Sequence, residues 1–195
     1  MSQPSIKGTV IVAVTDDLLR LVESGRIARD SLYARLEARD LEILEAKIQP
    51  ALWYPIESYD RLLRLLVEVE GGREPEAFLR ARGRKAAARL AETGLYAQLR
   101  GDTNAGTLEL AQVKRTLSVW FAMLNFSQCN GVLESERPRV FRIDVTEAEK
   151  FPWVLRRANA GFIEGVLRGL SQRDIEVSIV DERADRFAYR VRVAA

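Results

Sequence analysis

Apolar side chains recur every three or four residues along most of the first two thirds of the chain, which predicts a helical N-terminal part. The clearest helix begins after Pro55 and ends at Gly71 and Gly72. Its apolar side consists of Tyr59, Leu62, Leu63, Leu66 and Val69. A further helix is predicted from Pro75, a residue that suits the first helical position, to about Gly94.

The first 50 residues give a less regular pattern. Residues 7–14 are rich in β-branched side chains, so they predict a short strand. A helix is expected to start at Thr15 or Asp16 and to end at Gly25. Helical spacing returns after Asp30 and ends by Pro50, but the division of residues 27–50 stays open.

The most apolar helix is predicted over residues 107–127. Its first half is amphipathic, whereas residues 117–126 carry no charge. A helix that is apolar all round has to be buried on several sides. We therefore expect this segment either to run through the centre of the domain, against strands of the final third, or to meet another subunit.

The last third changes to a period of two. Residues 140–145, 175–180 and 187–193 alternate like half-buried strands, and the short connection between the last two predicts a hairpin. A helix is predicted between the first and second strands, over residues 152–170. The fold class is α+β: a helical part, residues 1–135, packed on a small antiparallel β-α-β-β part, residues 136–195. We expect one domain over residues 1–195, with residues 101–106 as an internal loop.

Composition excludes several kinds of chemistry. The chain has 195 residues, a net charge of +2, one cysteine and no histidine. A His-dependent catalytic triad, a His-ligated haem and a His-containing zinc site are therefore excluded, and Cys129 alone cannot form an intramolecular disulfide. No segment resembles a signal peptide or a membrane span, so a cytoplasmic location is expected. We predict no catalytic residue, no metal and no cofactor.

Two clusters have ordinary structural explanations. The basic residues between Arg80 and Arg89 do not share one narrow stripe and are flanked by acidic residues, so we expect a solvated helix face and no nucleic-acid binding. Gly161, Gly165 and Gly169 form a stripe on one helix, which indicates a close approach. We favour packing on the sheet, with Gly169 as the C-cap, over a bound ligand.

The aromatic residues are the candidate binding site. Six of them are predicted to line an apolar ligand cavity: Trp53, Trp120, Phe121, Phe126, Trp153 and Phe162. The alternative is that these side chains are ordinary core residues.

The order of landmarks resembles an uncharacterised family of bacterial proteins from myxobacteria and related deltaproteobacteria. The matching motifs are Trp53-Tyr54-Pro55-Ile56, Arg82-Gly83-Arg84 followed by Thr93-Gly94-Leu95-Tyr96, the long apolar helix, Phe151-Pro152, and the run from Gly161 to Leu167. That family is remotely similar to the 4-vinyl-reductase domain, the TRAPP tethering subunits and the haem-NO-binding fold. These relatives imply small-molecule sensing or dimeric scaffolding around an apolar cavity. The haem branch depends on a proximal histidine, so haem binding is not carried over.

The sequence and the resemblance together predict a non-catalytic sensory or scaffolding module. Its partner would be a hydrophobic small molecule, or a partner helix, held between residues 117–126 and the C-terminal sheet. The alternative is a structural homodimer without a ligand, in which the apolar helix is buried between subunits. An enzyme of unknown type is the third hypothesis.

Overall fold

A computed structural model describes residues 3–92 and 108–194. The predicted loop 101–106 and the motif Thr93–Tyr96 lie outside the described residues. Contacts divide the chain into two compact units. Unit 1 comprises Met1–Phe78 with Met123–Asn125, and unit 2 comprises Leu79–Ala122 with Phe126–Ala195. The prediction of a single domain stays a prediction, and each unit is described by itself.

Unit 1 is built from helices and one small sheet. Its elements are β1 (Ser5–Lys7), α1 (Gly8–Glu23), α2 (Arg29–Tyr33), α3 (Ala38–Glu45), β2 (Trp53–Pro55) and α4 (Ile56–Glu70). Strands β1 and β2 pair antiparallel, and α1 packs on α4. The helix predicted after Pro55 is confirmed. The open segment 27–50 contains the two short helices α2 and α3.

The strand predicted over residues 7–14 is wrong, because helix α1 already begins at Gly8. Its buried positions include Ile11, Val14, Leu18 and Leu21, which recur at three- and four-residue spacing. The β-branched composition is a weak local preference, and burial of this face overrides it. The predicted end near Gly25 is confirmed, since Gly25 has a φ of 71° after the helix.

A buried ion pair fixes α3 in unit 1. The Asp40 carboxylate is fully buried, and its two oxygens accept hydrogen bonds from Arg61 Nε at 2.6 Å and Nη2 at 2.9 Å. Burial alone would raise the pKa of Asp40, but hydrogen bonds led by that of Arg61 outweigh it and lower the pKa. Charged Asp40 is therefore the form that stabilises this unit.

Unit 2 contains most of α5 (Pro75–Glu92) together with α6 (Leu110–Phe121), α7 (Trp153–Ser171) and a four-stranded antiparallel sheet. The strands are β3 (Gln128–Glu136), β4 (Arg139–Thr146), β5 (Ile175–Val180) and β6 (Phe187–Val193), in the order β3-β4-β6-β5. The α+β class, the three predicted strands and the hairpin are confirmed. The sheet has one strand more than predicted, because all of β3 except Glu136 lies in the stretch assigned to the helical part. Its polar residues and Gly131 hide the alternation.

The apolar segment 117–126 is not buried on every side. Helix α6 ends at Phe121, and Met123–Asn125 belong to unit 1. The buried residues of α6 form one face, which includes Val113, Leu117 and Trp120, and lie against β3 and α7. Ser118 and Ala122 are exposed, so the helix is amphipathic to its end. The expected burial holds for Trp120, which is 7% exposed.

The glycine stripe of α7 marks a close approach to α5. A Cβ atom on Gly161 would lie 2.7 Å from Arg80 Cα, and one on Gly165 would lie 2.7 Å from Ala87 Cβ. From the other side, a Cβ on Gly83 would lie 2.6 Å from the backbone nitrogen of Phe162. Gly161 and Gly165 therefore serve packing, but on α5 and not on the sheet. Gln172, in the left-handed conformation, caps the helix in place of Gly169.

Candidate functional site

A row of aromatic rings crosses the interior of unit 2. The Trp120 and Phe121 rings meet edge to face at 4.3 Å between centroids, and Trp120 lies 6.1 Å from Phe151. Phe151 then contacts Phe126 at 5.7 Å and Phe187 at 5.1 Å, and Phe187 contacts Tyr189 at 5.2 Å. We call these six residues the aromatic row. Edge-to-face contacts of this kind stabilise a cluster beyond simple burial.

The aromatic row brings together three of the six residues selected from the sequence. Trp120 is buried, whereas the rings of Phe121 and Phe126 are half-buried and partly accessible. Trp153 and Phe162 are half-buried on α7. Trp53 belongs to unit 1, where it is 44% exposed and the ammonium of Lys7 lies 4.0 Å from its ring centroid.

Sequence reasoning did not select the other three members of the row. Phe187 and Tyr189 are inward positions of β6, and the period of two was a signal for them. Phe151 lies in the connection between β4 and α7. This segment has neither the helical nor the strand spacing of apolar residues that would predict which side chains are buried. Its position before Pro152, at the start of a helix, was the only local signal.

Polar groups lie at the β6 end of the row. The Arg156 guanidinium is 4.5 Å from the Phe187 ring centroid, and the Tyr189 hydroxyl donates a hydrogen bond of 3.1 Å to the Arg156 carbonyl. Burial raises the pKa of Tyr189, against a smaller opposing effect of the Arg156 charge. The phenol is therefore neutral at physiological pH. Within the described residues, the buried Nδ2 atom of Asn159 has no hydrogen-bond partner.

The single cysteine lies on β3. Burial raises the pKa of the Cys129 thiol to about 11, so it is protonated at neutral pH. Across residues 3–92 and 108–194, no three His, Cys, Asp or Glu side chains are placed to share a metal ion. None of the helices in the described parts of the chain is both long and apolar enough to cross a membrane.

Comparison with known proteins identifies the fold. No family model matches the chain, and no curated protein matches it. Solved structures of H-NOX domains do match over nearly the whole chain. A mutant of the T. tengcongensis H-NOX protein aligns with a TM-score of 0.60 and 13% identity, covering 97% of this chain and 98% of the other.

Two further H-NOX structures give the same result. A mutant Cs H-NOX protein with an unnatural amino acid aligns with a TM-score of 0.64 and 15% identity, covering 97% of each chain. An oxygen-binding H-NOX domain related to soluble guanylate cyclases, solved as an oxygen complex, aligns with a TM-score of 0.61 and 13% identity. The alignment covers 97% of this chain and 96% of the other. The chain therefore shares the H-NOX fold. The haem-NO-binding part of the resemblance is confirmed for the fold, and the other parts stay predictions.

The residues of this chain do not fit a haem. Protein ligands of haem iron are imidazole, thiolate, thioether or phenolate groups. The chain has no imidazole. The Cys129 thiol is protonated, and the Tyr189 phenol is neutral and donates its hydrogen to a carbonyl. Neither side chain is held as an anionic axial ligand, and the thioether sulfur of Met123, in unit 1, accepts a hydrogen bond from Thr9 Oγ1 at 3.4 Å. No function is derived through haem.

Proposed function

We propose that this chain is a non-catalytic sensory or scaffolding module that binds a hydrophobic small molecule, or the apolar side of a partner helix, at the aromatic row. The observation that carries the proposal is the row itself. Its other rings are buried, while Phe121, at the end of the row, and Phe126, beside Phe151, remain half-buried. An apolar ligand gains most of its affinity from burial against such rings, with a few polar groups to orient it.

The shared fold supports a sensory role. One structural neighbour is described as an oxygen complex, and another concerns the modulation of haem redox potential through porphyrin distortion. Those descriptions apply to those proteins. For this chain we propose that ligand binding is retained and that the ligand is an apolar organic molecule, because the residues do not fit haem.

The charged groups around the row support a non-catalytic role. Arg156 and Arg157 form ion pairs with Glu182, and Arg156 also donates hydrogen bonds to backbone carbonyls. The Tyr189 hydroxyl also donates its hydrogen bond to a backbone carbonyl, that of Arg156. Groups that hold the backbone in this way are not poised to exchange protons with a substrate.

The homodimer hypothesis depended on residues 117–126, which carry no charge. Within that segment Ser118 and Ala122 are exposed, so its open face carries small side chains and no large apolar ones from α6. Homo-oligomerisation stays a prediction, which sedimentation velocity over a hundredfold range of concentration would test. A monomer at every concentration would exclude it.

Native mass spectrometry and a fluorescent probe test the proposed function. We expect a copurifying apolar ligand, or else saturable binding of N-phenyl-1-naphthylamine, an uncharged aromatic amine. Phe126→Ala should weaken probe binding about tenfold, because it removes a half-buried ring from the row. Leu52→Ala, an exposed apolar residue of unit 1, is the matched control and should have no effect.

The same titration tests the remaining residues proposed for the lining. Trp153→Ala and Phe162→Ala should weaken probe binding. Trp53 lies in unit 1, and its part in ligand binding stays a separate prediction that Trp53→Ala tests. A clean mass without ligand, together with no saturable binding of the probe, would contradict the proposed function.

A further inference from the structure

Phe151 is the hub of the aromatic row. Its ring contacts three others, those of Trp120, Phe126 and Phe187, at centroid distances of 6.1, 5.7 and 5.1 Å. The side chain is itself buried. The centre of the proposed ligand site is thus filled by a ring of the protein.

The hub ring sits on a segment that is neither helix nor strand. Strand β4 ends at Thr146 and α7 begins at Trp153, so Phe151 belongs to the connection 147–152. The connection opens at Glu147, a non-glycine residue with a φ of 54°. A left-handed conformation costs such a residue roughly 1 kcal/mol, so other contacts have to hold the segment in place.

Arg156 supplies those contacts. Its Nε donates to the Phe151 carbonyl at 3.1 Å, and its Nη2 donates to the Ala148 carbonyl at 3.4 Å. Its Nη1 donates to the Arg183 carbonyl at 3.2 Å, in the turn between β5 and β6. One guanidinium therefore joins the connection 147–152 to the tip of the hairpin.

Glu182 keeps this guanidinium in position from the hairpin tip. Its carboxylate lies 3.4 Å from Arg156 Nη1 and accepts two hydrogen bonds from Arg157, at 3.2 and 3.0 Å. The backbone amide of Ala148 also donates to the Asp185 carbonyl at 2.9 Å. The segment that carries Phe151 and the hairpin tip are thus tied at several points, of which the Glu182 ion pairs are the most exposed to solvent.

We propose that Phe151 is the gate of the ligand site, and that the connection 147–152 is its lid. When the lid opens, the Phe151 ring leaves the row and an apolar ligand with a group of about the size of one aromatic ring takes its place. The latch is the contact of Arg156 with Glu182, which holds the lid closed. This inference rests on the proposed function for the identity of the ligand, whereas the opening of the lid is a property of the protein alone.

The latch is tested by Glu182→Gln, which keeps the shape of the side chain and removes its charge. Glu176→Gln is the matched control, since Glu176 pairs with Arg192 on the sheet, 3.9 Å away, and does not contact the latch. We expect hydrogen exchange of the amides in 147–151 to rise about three- to tenfold in Glu182→Gln, and not in the control. The association rate of N-phenyl-1-naphthylamine should rise by a similar factor, because lid opening limits entry.

The gate is tested by Phe151→Ala, with circular dichroism to verify that the variant folds. Because Phe151→Ala removes the ring from the site, it should raise both the association rate and the affinity of N-phenyl-1-naphthylamine. Phe151→Trp, which enlarges the ring, should lower the association rate. If Phe151→Ala does not fold, the association rates of N-phenyl-1-naphthylamine with Phe151→Trp and Glu182→Gln test the gate instead.

The outcomes separate the two proposals. Unchanged exchange in Glu182→Gln overturns the lid, whatever the probe does. Probe binding to the wild-type protein at the same association rate as Glu182→Gln overturns the gate and leaves the proposed function standing. Absence of probe binding to every variant overturns the proposed function, and in that case the hydrogen-exchange data still test the opening of the lid.

Discussion

Replacing Gly161 by alanine tests the contact between α5 and α7. The added Cβ would overlap the carbonyl oxygen of Arg80 and lie 2.7 Å from the carbonyl carbon and from the Cα of the same residue. All three are backbone atoms, so no side-chain rotation can relieve the overlap. The two helix backbones would have to separate by roughly 1 Å to reach ordinary van der Waals distance.

The sign of the effect is what makes Gly161→Ala informative. Helix propensity alone would make alanine more stable than glycine by about 1 kcal/mol. Overpacking costs about 1–3 kcal/mol or more, and a contact with rigid backbone belongs at the upper end of that range. We therefore expect the free energy of unfolding to fall by about 2 kcal/mol and the midpoint temperature to fall by roughly 4–8 °C.

Urea unfolding followed by circular dichroism measures this change. Ala86→Gly, at an exposed position of α5, gives the propensity effect without a clash and should lower stability by about 1 kcal/mol. A Gly161→Ala variant that is as stable as the wild-type protein, or more stable, would refute the close approach of the two helices.

Three further predictions concern ionisable groups. Asp40→Asn should destabilise the protein by about 3 kcal/mol at pH 7, because it leaves Arg61 without its buried partner. Since the folded-state pKa of Asp40 is lowered, the difference in free energy of unfolding between the wild-type protein and Asp40→Asn should depend on pH. Measured by urea unfolding, it should be constant above about pH 5 and should shrink below about pH 4. Cys129, with its pKa raised to about 11, should react with iodoacetamide at pH 7.5 about a hundredfold more slowly than a free thiol, and a rate equal to that of free cysteine would contradict its burial. Tyr189→Phe should lower the free energy of unfolding by about 1 kcal/mol through loss of its hydrogen bond to Arg156, without changing the far-ultraviolet spectrum.

The C-terminal sheet could be predicted because one of its faces is buried. In β6 the inward residues Phe187, Tyr189 and Val191 alternate with exposed Arg190 and Arg192, and that alternation is visible in the sequence. Strand β3 could not be predicted in the same way. It lies at an edge of the sheet, and its fully buried position is occupied by Gly131, which gives no apolar signal.

Helix α1 illustrates a limit of local propensity. Residues 10–14 are β-branched at four of five positions, yet they are helical because Ile11 and Val14 share a face with Leu18 that packs on α4. The choice between strand and helix is made by a partner that is more than 40 residues away in the sequence. A local pattern does not contain that information.

The aromatic row could be predicted in part. Trp120, Phe121 and Phe126 stand out as aromatic residues within or next to an apolar segment. Phe151 does not, because its burial depends on carbonyl contacts with Arg156 that no spacing reveals. The fold likewise does not fix a ligand, because one fold can carry unrelated sites and this chain shares the H-NOX fold at only 13% identity and without any histidine.

The most direct test of the account is binding observed from Trp120 itself. In a Trp53→Phe/Trp153→Phe variant, Trp120 is the only tryptophan and reports from the aromatic row. Titration with N-phenyl-1-naphthylamine should quench its emission saturably, with one probe per chain and with energy transfer to the bound probe. Emission that declines only linearly with probe concentration, without saturation or energy transfer, would contradict a ligand site at the row.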